Sequence, residues 1–146
     1  DLLGATLPVM RAANGETVPK HCRTLSSGVH AVDVFRRDDR TLVLTMDNTF
    51  QTKPWSQVFR DPAANPMKPG DTVQLSGMEA RVEEVTGDGR PTRVAFRFDV
   101  PLEDPSLRWV VFENRTYAPF AVPKVGETAA VRGPDFKELV RWFTGA

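Results

Sequence analysis

The chain has 146 residues, 40% hydrophobic and 26% charged, the balance of a single soluble domain long enough to bury a core. Nineteen basic residues cancel nineteen acidic ones, and no run of Lys and Arg exceeds two residues, which argues against a nucleic-acid surface and a polybasic membrane patch. Cys22 is alone, so no internal disulfide forms, and no apolar run is long enough to cross a bilayer.

Residues 1–28 read as an irregular lead-in punctuated by Pro8, Gly15, Pro19 and Gly28. Within it, Leu7–Met10 and Arg23–Leu25 are expected to lie along the domain as edge strands. Asp1 rather than Met suggests a piece of something longer. Leu2 to Leu7 then reads as the remnant of a cut signal or membrane segment or, more plainly, as an ordinary leading strand or loop. Val29–Phe35 alternates Val32 and Val34 against Ala31 and Asp33. After the polar turn Arg36 to Arg40, Thr41–Met46 puts Leu42, Leu44 and Met46 on one side, completing a hairpin.

Thr49–Pro69 breaks this rhythm with Pro54, Pro62, Pro66 and Pro69, and only Ser56–Arg60 has the makings of a helical turn. A connection this long without structure of its own is usually functional or mobile. Trp55 and Phe59, with Arg60 beside them, are therefore the candidate contact residues for a partner or ligand. The plainer alternative has the two rings plugging a barrel end or covering a sheet edge.

Pro69-Gly70-Asp71 turns into the strand Thr72–Leu75, and Met78–Val100 specifies a second hairpin down to its register. With a loop at Gly87-Asp88-Gly89 and Gly89 in the left-handed region, Thr86 faces Arg90. Val82 then meets Val94, Ala80 meets Phe96 and Met78 meets Phe98. Glu83–Arg93 and Glu79–Arg97 fall on the opposite face, so one side is oily and the other is ion-paired.

Leu107–Phe112 reads as a strand buried on both faces, because Trp109 to Phe112 is continuously apolar. Asn114-Arg115 makes a tight turn, and Tyr117–Val122 returns as an edge strand bearing Pro119. The triplet Asn114-Arg115-Thr116 also matches a glycosylation acceptor, at a place where Asn is expected anyway. Pro123-Lys124-Val125-Gly126-Glu127-Thr128-Ala129 echoes Lys68-Pro69-Gly70-Asp71-Thr72-Val73: in each, a Gly-acid-Thr turn launches a strand. The echo reads as shared turn chemistry or as two repeated lobes. A helix over 134–143 presents Phe136, Leu139, Val140 and Phe143 as one stripe.

Chemistry-bearing residues are sparse. His21 and Cys22 are neighbours whose side chains point apart in extended structure, and His30 sits on an expected strand, so no nucleophile–base pair or zinc spacing emerges. Asp38, Asp39, Asp47, Asp61 and Asp104 occupy turns without the spacing of a calcium loop. Gly87-Asp88-Gly89 lacks the Lys and hydroxyl residue of a phosphate loop. The expectation is no catalytic residue, no metal and no cofactor.

The runs Asp38 to Leu44, Pro69 to Met78, Asp88 to Pro91 and Pro101 to Trp109 resemble the soluble C-terminal region of uncharacterised multi-pass bacterial membrane proteins, over residues 23–128. These motifs are turns and strand starts. The resemblance implies a membrane-tethered β-domain outside the cytoplasm and brings no catalytic residues.

Taken together, the chain is expected to be one β-rich domain over 1–146, an antiparallel β-sandwich or partly open β-barrel with one C-terminal helix. Its expected role is a non-enzymatic interaction domain of a larger bacterial membrane protein. Its partner is a protein, either its own membrane region or another subunit, and neither nucleic acid nor membrane insertion is involved. Two other classes stand beside that one. A carbohydrate- or small-ligand-binding barrel would stack its ligand on Trp55, Trp109 or Tyr117, and a hydrolase would use carboxylates or Cys22.

Overall fold

The computed structural model describes residues 8, 9, 11–26, 30–51, 61, 63–113 and 116–133. Eight strands lie among them: β1 Val32–Arg36, β2 Thr41–Thr45, β3 Thr72–Leu75, β4 Met78–Val85, β5 Pro91–Phe98, β6 Val110–Glu113, β7 Thr116–Pro119 and β8 Thr128–Val131. Every pairing is antiparallel. β6 and β7 form a separate ribbon, and the rest make one sheet in the order β3-β4-β5-β2-β1-β8.

The mainly β antiparallel class is therefore what the chain adopts. The six-stranded sheet does not close on itself, so there is no closed barrel, and the arrangement is consistent with a β-sandwich. Its oily face carries Val32, Val34, Leu42, Leu44, Met46, Met78, Val94, Phe96 and Phe98. Leu102, Leu107, Trp109, Phe120 and Val122, from the chain on either side of β6 and β7, pack onto that face as the second layer. Leu42 and Leu102 are both 1% exposed, and each such side chain is worth about 2 kcal/mol of burial.

The β4–β5 hairpin has the register that its alternation predicts: Met78 opposite Phe98, Glu79 opposite Arg97, Ala80 opposite Phe96 and Val82 opposite Val94. Gly89 stands at φ 75°, in the left-handed region. One pair differs. Arg93 lies opposite Glu84, and Glu83 is displaced as a bulge between Val82 and Glu84. The charge pairing survives that shift, since Arg93 Nε lies 3.2 Å from Glu83 and Nη1 lies 3.4 Å from Glu84.

Elsewhere the structure corrects several local expectations. Pro8 and Val9 are helical, and Arg23–Leu25 is not a strand, so the lead-in contributes no edge strand at these positions. His30 precedes β1 in a bend. The strand expected over Leu107–Phe112 begins only at Val110, which is 42% exposed. Among the described residues it pairs with β7 alone, and Val110, Val111 and Phe112 are exposed or half-buried where burial on both faces was expected. β7 ends at Pro119, short of Val122. Residues 1–7, the Asn114-Arg115 turn and the helix expected over 134–143 lie outside the described residues.

The strand registers contain a pseudo-two-fold axis. Exchanging β2 with β5 turns the pair Leu42–Phe96 into Val94–Leu44 and leaves Val43–Ala95 in place, so the axis pierces the sheet there. The same exchange carries Val32, Val34 and Arg36 of β1 onto Met78, Ala80 and Val82 of β4, and β8 onto β3. Both outer strands begin with one motif. Gly70 N donates to Val82 O (2.8 Å) while Val82 N donates to Asp71 O (2.9 Å). Gly126 N donates to Arg36 O (2.8 Å) while Arg36 N donates to Glu127 O (3.0 Å). Each is a glycine bulge, with φ of 95° at Gly70 and 84° at Gly126, and each follows a turn closed on a lysine carbonyl. The echo read in the sequence is thus a structural repeat. One half runs β3-β4-β5, whereas the other takes its outer strand from the chain's far end as β8-β1-β2.

The opposite face is closed over this axis. Val43 is 0% exposed although it points away from the oily core. Arg37 and Glu83, related by the axis, form an ion pair of 2.7 Å on that side. In a flat sheet their Cα atoms would stand on the order of 20 Å apart, three strands across and four residues along. The pair can form only because the sheet is strongly coiled.

Candidate functional site

The Thr49–Pro69 connection is attached at both ends to one short stretch of the β4–β5 hairpin. Phe50 N donates to Pro91 O and Met67 N donates to Gly89 O, each at 2.9 Å. Arg90 Nη1 lies 3.5 Å from Gln51 O, and Met46 N donates to Thr92 O at 2.9 Å. Thr49 is 2% exposed, and its hydroxyl donates to Gln51 O at 2.6 Å.

The hairpin tip that receives the feet is itself rigidly tied. Thr86 N donates to Arg90 O (2.9 Å), Arg90 N to Thr86 Oγ1 (3.0 Å) and Gly89 N to Thr86 O (2.9 Å). The Thr86 hydroxyl donates to Asp88, and Arg90 Nε adds a bond of 2.9 Å to the same carboxylate. Those two donors hold the Asp88 carboxyl below its usual range, Thr86 first. Between tip and loop lies a shallow open groove of about 380 Å³, walled by Ala63, Pro66, Met67, Pro69, Val85 and Gly89.

Trp55, Phe59 and Arg60, the contact residues that the sequence proposes, lie outside the described residues, as does the helical turn expected over Ser56–Arg60. The loop feet were not visible in the sequence, since Phe50 and Met67 carry no motif.

Of the stacking candidates, Trp109 and Tyr117 fall among the described residues, and each makes a ring contact. Trp109 packs edge-on against Phe98 at 5.1 Å and donates its ring N–H to Leu102 O at 2.8 Å, so it serves as a core tether. Tyr117 is half-buried with its ring edge-on to Phe112, also at 5.1 Å. His21 and Cys22 are exposed and His30 is half-buried. Among the described residues no group of three His, Cys, Asp or Glu could hold a metal, and no helix is long and apolar enough to cross a membrane.

Carboxylates with a resolved shift all move downward. At Glu83 the Arg37 hydrogen bond leads, at Glu103 the Arg36 hydrogen bond, and at Asp104 the Ser106 hydroxyl followed by its N–H. Partial burial works the other way at Asp38, yet the N–H groups of Arg40 and Thr41 and the Thr41 hydroxyl keep that carboxyl low. A general acid needs its carboxyl pushed up. These groups are shaped for turns and ion pairs.

Arg36 went unnoticed as a core residue. It is 7% exposed, grips Glu103 through both terminal nitrogens, and donates to Asp38 O (3.0 Å) and Pro123 O (3.3 Å). It thereby pins the 99–109 cover and the approach to β8 onto β1. Its place at an alternating position was the available signal, and its charge masked it.

The fold and these sites define a mainly β, sandwich-type domain in which both ends of the Thr49–Pro69 connection are hydrogen-bonded to one hairpin tip. Comparison with protein-family models, curated proteins and solved structures returned no match to this chain.

Proposed function

We propose that this chain is a non-catalytic interaction domain, an extramembrane part of a larger bacterial membrane protein, that offers the Thr49–Pro69 loop to a protein partner. The observation that supports the reading is the pair of loop feet on Gly89 and Pro91. The two halves of the sheet match strand for strand. Where β1 and β2 join through a tight turn, β4 and β5 run on into a longer tip that carries the loop. Binding residues concentrate on loops that a rigid scaffold positions. Trp55 and Phe59 supply aromatic area of the kind that dominates protein contacts, with Arg60 as a polar anchor.

The test places a photo-crosslinking amino acid at Trp55 or Phe59 in cells expressing the full-length protein. Each should yield a protein adduct that is missing when the probe sits at Val125, exposed on the far edge of the sheet. Replacing both rings by Ala should remove capture and move Tm by no more than about 2 °C. A fall of about 10 °C would mark the rings as core and end the reading. Tethering is checked separately, because the full-length protein should stay with membranes through a carbonate wash.

A further inference from the structure

We infer that Gly89 is the positioning residue of the loop: Pro66 seats on the space where a Gly89 side chain would stand. This rests on the interaction reading and says how its loop is aimed. Gly89 is buried at φ 75°, and a Cβ there would lie 2.5 Å from Pro66 Cβ, 2.9 Å from Pro66 Cα and 3.2 Å from Met67 N. Contacts that close are not tolerated, and two of the three atoms are backbone, which cannot swing aside. The same glycine offers its carbonyl to Met67 N at 2.9 Å. The seat therefore has a steric half and a hydrogen-bonded half, both on one residue. A glycine required only by its φ would need neither.

The protein supplies its own control. Gly77 also lies in the left-handed region, at φ 80°, but a Cβ there meets nothing within 4 Å. Alanine at Gly77 thus incurs the backbone strain alone, whereas alanine at Gly89 adds the collision.

Amide hydrogen exchange on Gly89→Ala, Gly77→Ala and Pro66→Gly reads the seat directly. In Gly89→Ala the Met67 amide should exchange at least tenfold faster than in wild type, while the Leu44 and Val94 amides keep their wild-type rates. Pro66→Gly, which adds no bulk, should move the Met67 amide in the same direction. Gly77→Ala should leave it unchanged. Wild-type exchange at Met67 in Gly89→Ala overturns the inference, as does equal acceleration across the sheet or a matching effect from Gly77→Ala. Crosslinking from Trp55 in the same variants is scored separately. Adducts that fall tenfold in Gly89→Ala support aiming, and adducts that persist after Met67 is freed overturn it. If wild type gives no adduct while Met67 responds as expected, the interaction reading fails and the seat stands.

Discussion

The two outer strands, β3 and β8, start from the same glycine bulge, yet the strands they clasp are completed by opposite chemistry. β3 closes on Val82, an aliphatic side chain that needs only apolar neighbours. β8 closes on Arg36, whose guanidinium is buried and must find acceptors, and does so at Glu103, Asp38 O and Pro123 O. Backbone hydrogen bonding fixes the edge motif, and the position inside it accepts either chemistry provided each polar group is satisfied. The charged version gains reach. It ties two distant segments to the sheet, which a valine could not do.

If both halves share one core, the symmetry mates Leu44 and Phe96 should be similarly costly to truncate. Leu44→Ala and Phe96→Ala should each lose about 3–4 kcal/mol in urea unfolding, the largest effects expected of any single changes. Both lie on the oily face near the axis, so the double variant should depart from additivity. A near-neutral result at either position would show that its half does not use the common core.

Next in size is the Arg36 grip. Arg36→Met keeps the stem and removes the charged donors, and should cost about 2 kcal/mol, chiefly from the carbonyls of Asp38 and Pro123 left without a partner. Glu103→Gln should do much less, because that side chain is 63% exposed. Equal losses would place the energy in the ion pair rather than in the backbone anchors.

The Arg37–Glu83 pair over the axis gives the comparison a pH dependence. The Arg37 hydrogen bond holds the folded Glu83 carboxyl below its ordinary value of 4.5, so its contribution is complete above that pH and fades as the pH drops through the folded value. The matching shift on Arg37 is upward, so its contribution persists until strongly alkaline pH. Arg37 is partly solvated, which limits the pair to about 0.5 kcal/mol. Glu83→Gln should narrow the gap between the unfolding free energies at pH 7 and pH 3, read from urea curves, by that amount. An unchanged gap would remove the pair from the acid response.

The smallest effect is expected at the edge. Val73 of β3 is 49% exposed, and its mate in β8 is already Ala129. Val73→Ala should stay within about 0.5 kcal/mol. A larger loss would mean that the β3 edge is covered in solution where its mate is not.

Much of this frame was legible because antiparallel hairpins are local. Met78 to Phe98 announces its own partners, since a one-residue slip would turn every apolar side chain to the wrong face. The bulge at Glu83 escaped notice because moving one carboxylate aside leaves the charge pattern intact. Trp109 to Phe112 misled because a continuous apolar run reports hydrophobicity without saying which face finds a neighbour. The candidate site was legible only as a loop of unusual length. That its feet share one hairpin tip depends on contacts between residues far apart in sequence, which no local pattern encodes.

By itself, then, the sequence determined the first two hairpins, the register of β4 with β5 from Met78 to Val82, the glycine turn at residue 89 and the twin strand starts at Gly70 and Gly126. Each follows from backbone sterics and side-chain alternation over a few residues. Tertiary structure alone decided that β2 lies beside β5, that β8 returns to β1 to complete a pseudo-symmetric sheet, and that Arg36 belongs inside. Those outcomes depend on which apolar faces can cover one another and on where a buried guanidinium finds its acceptors.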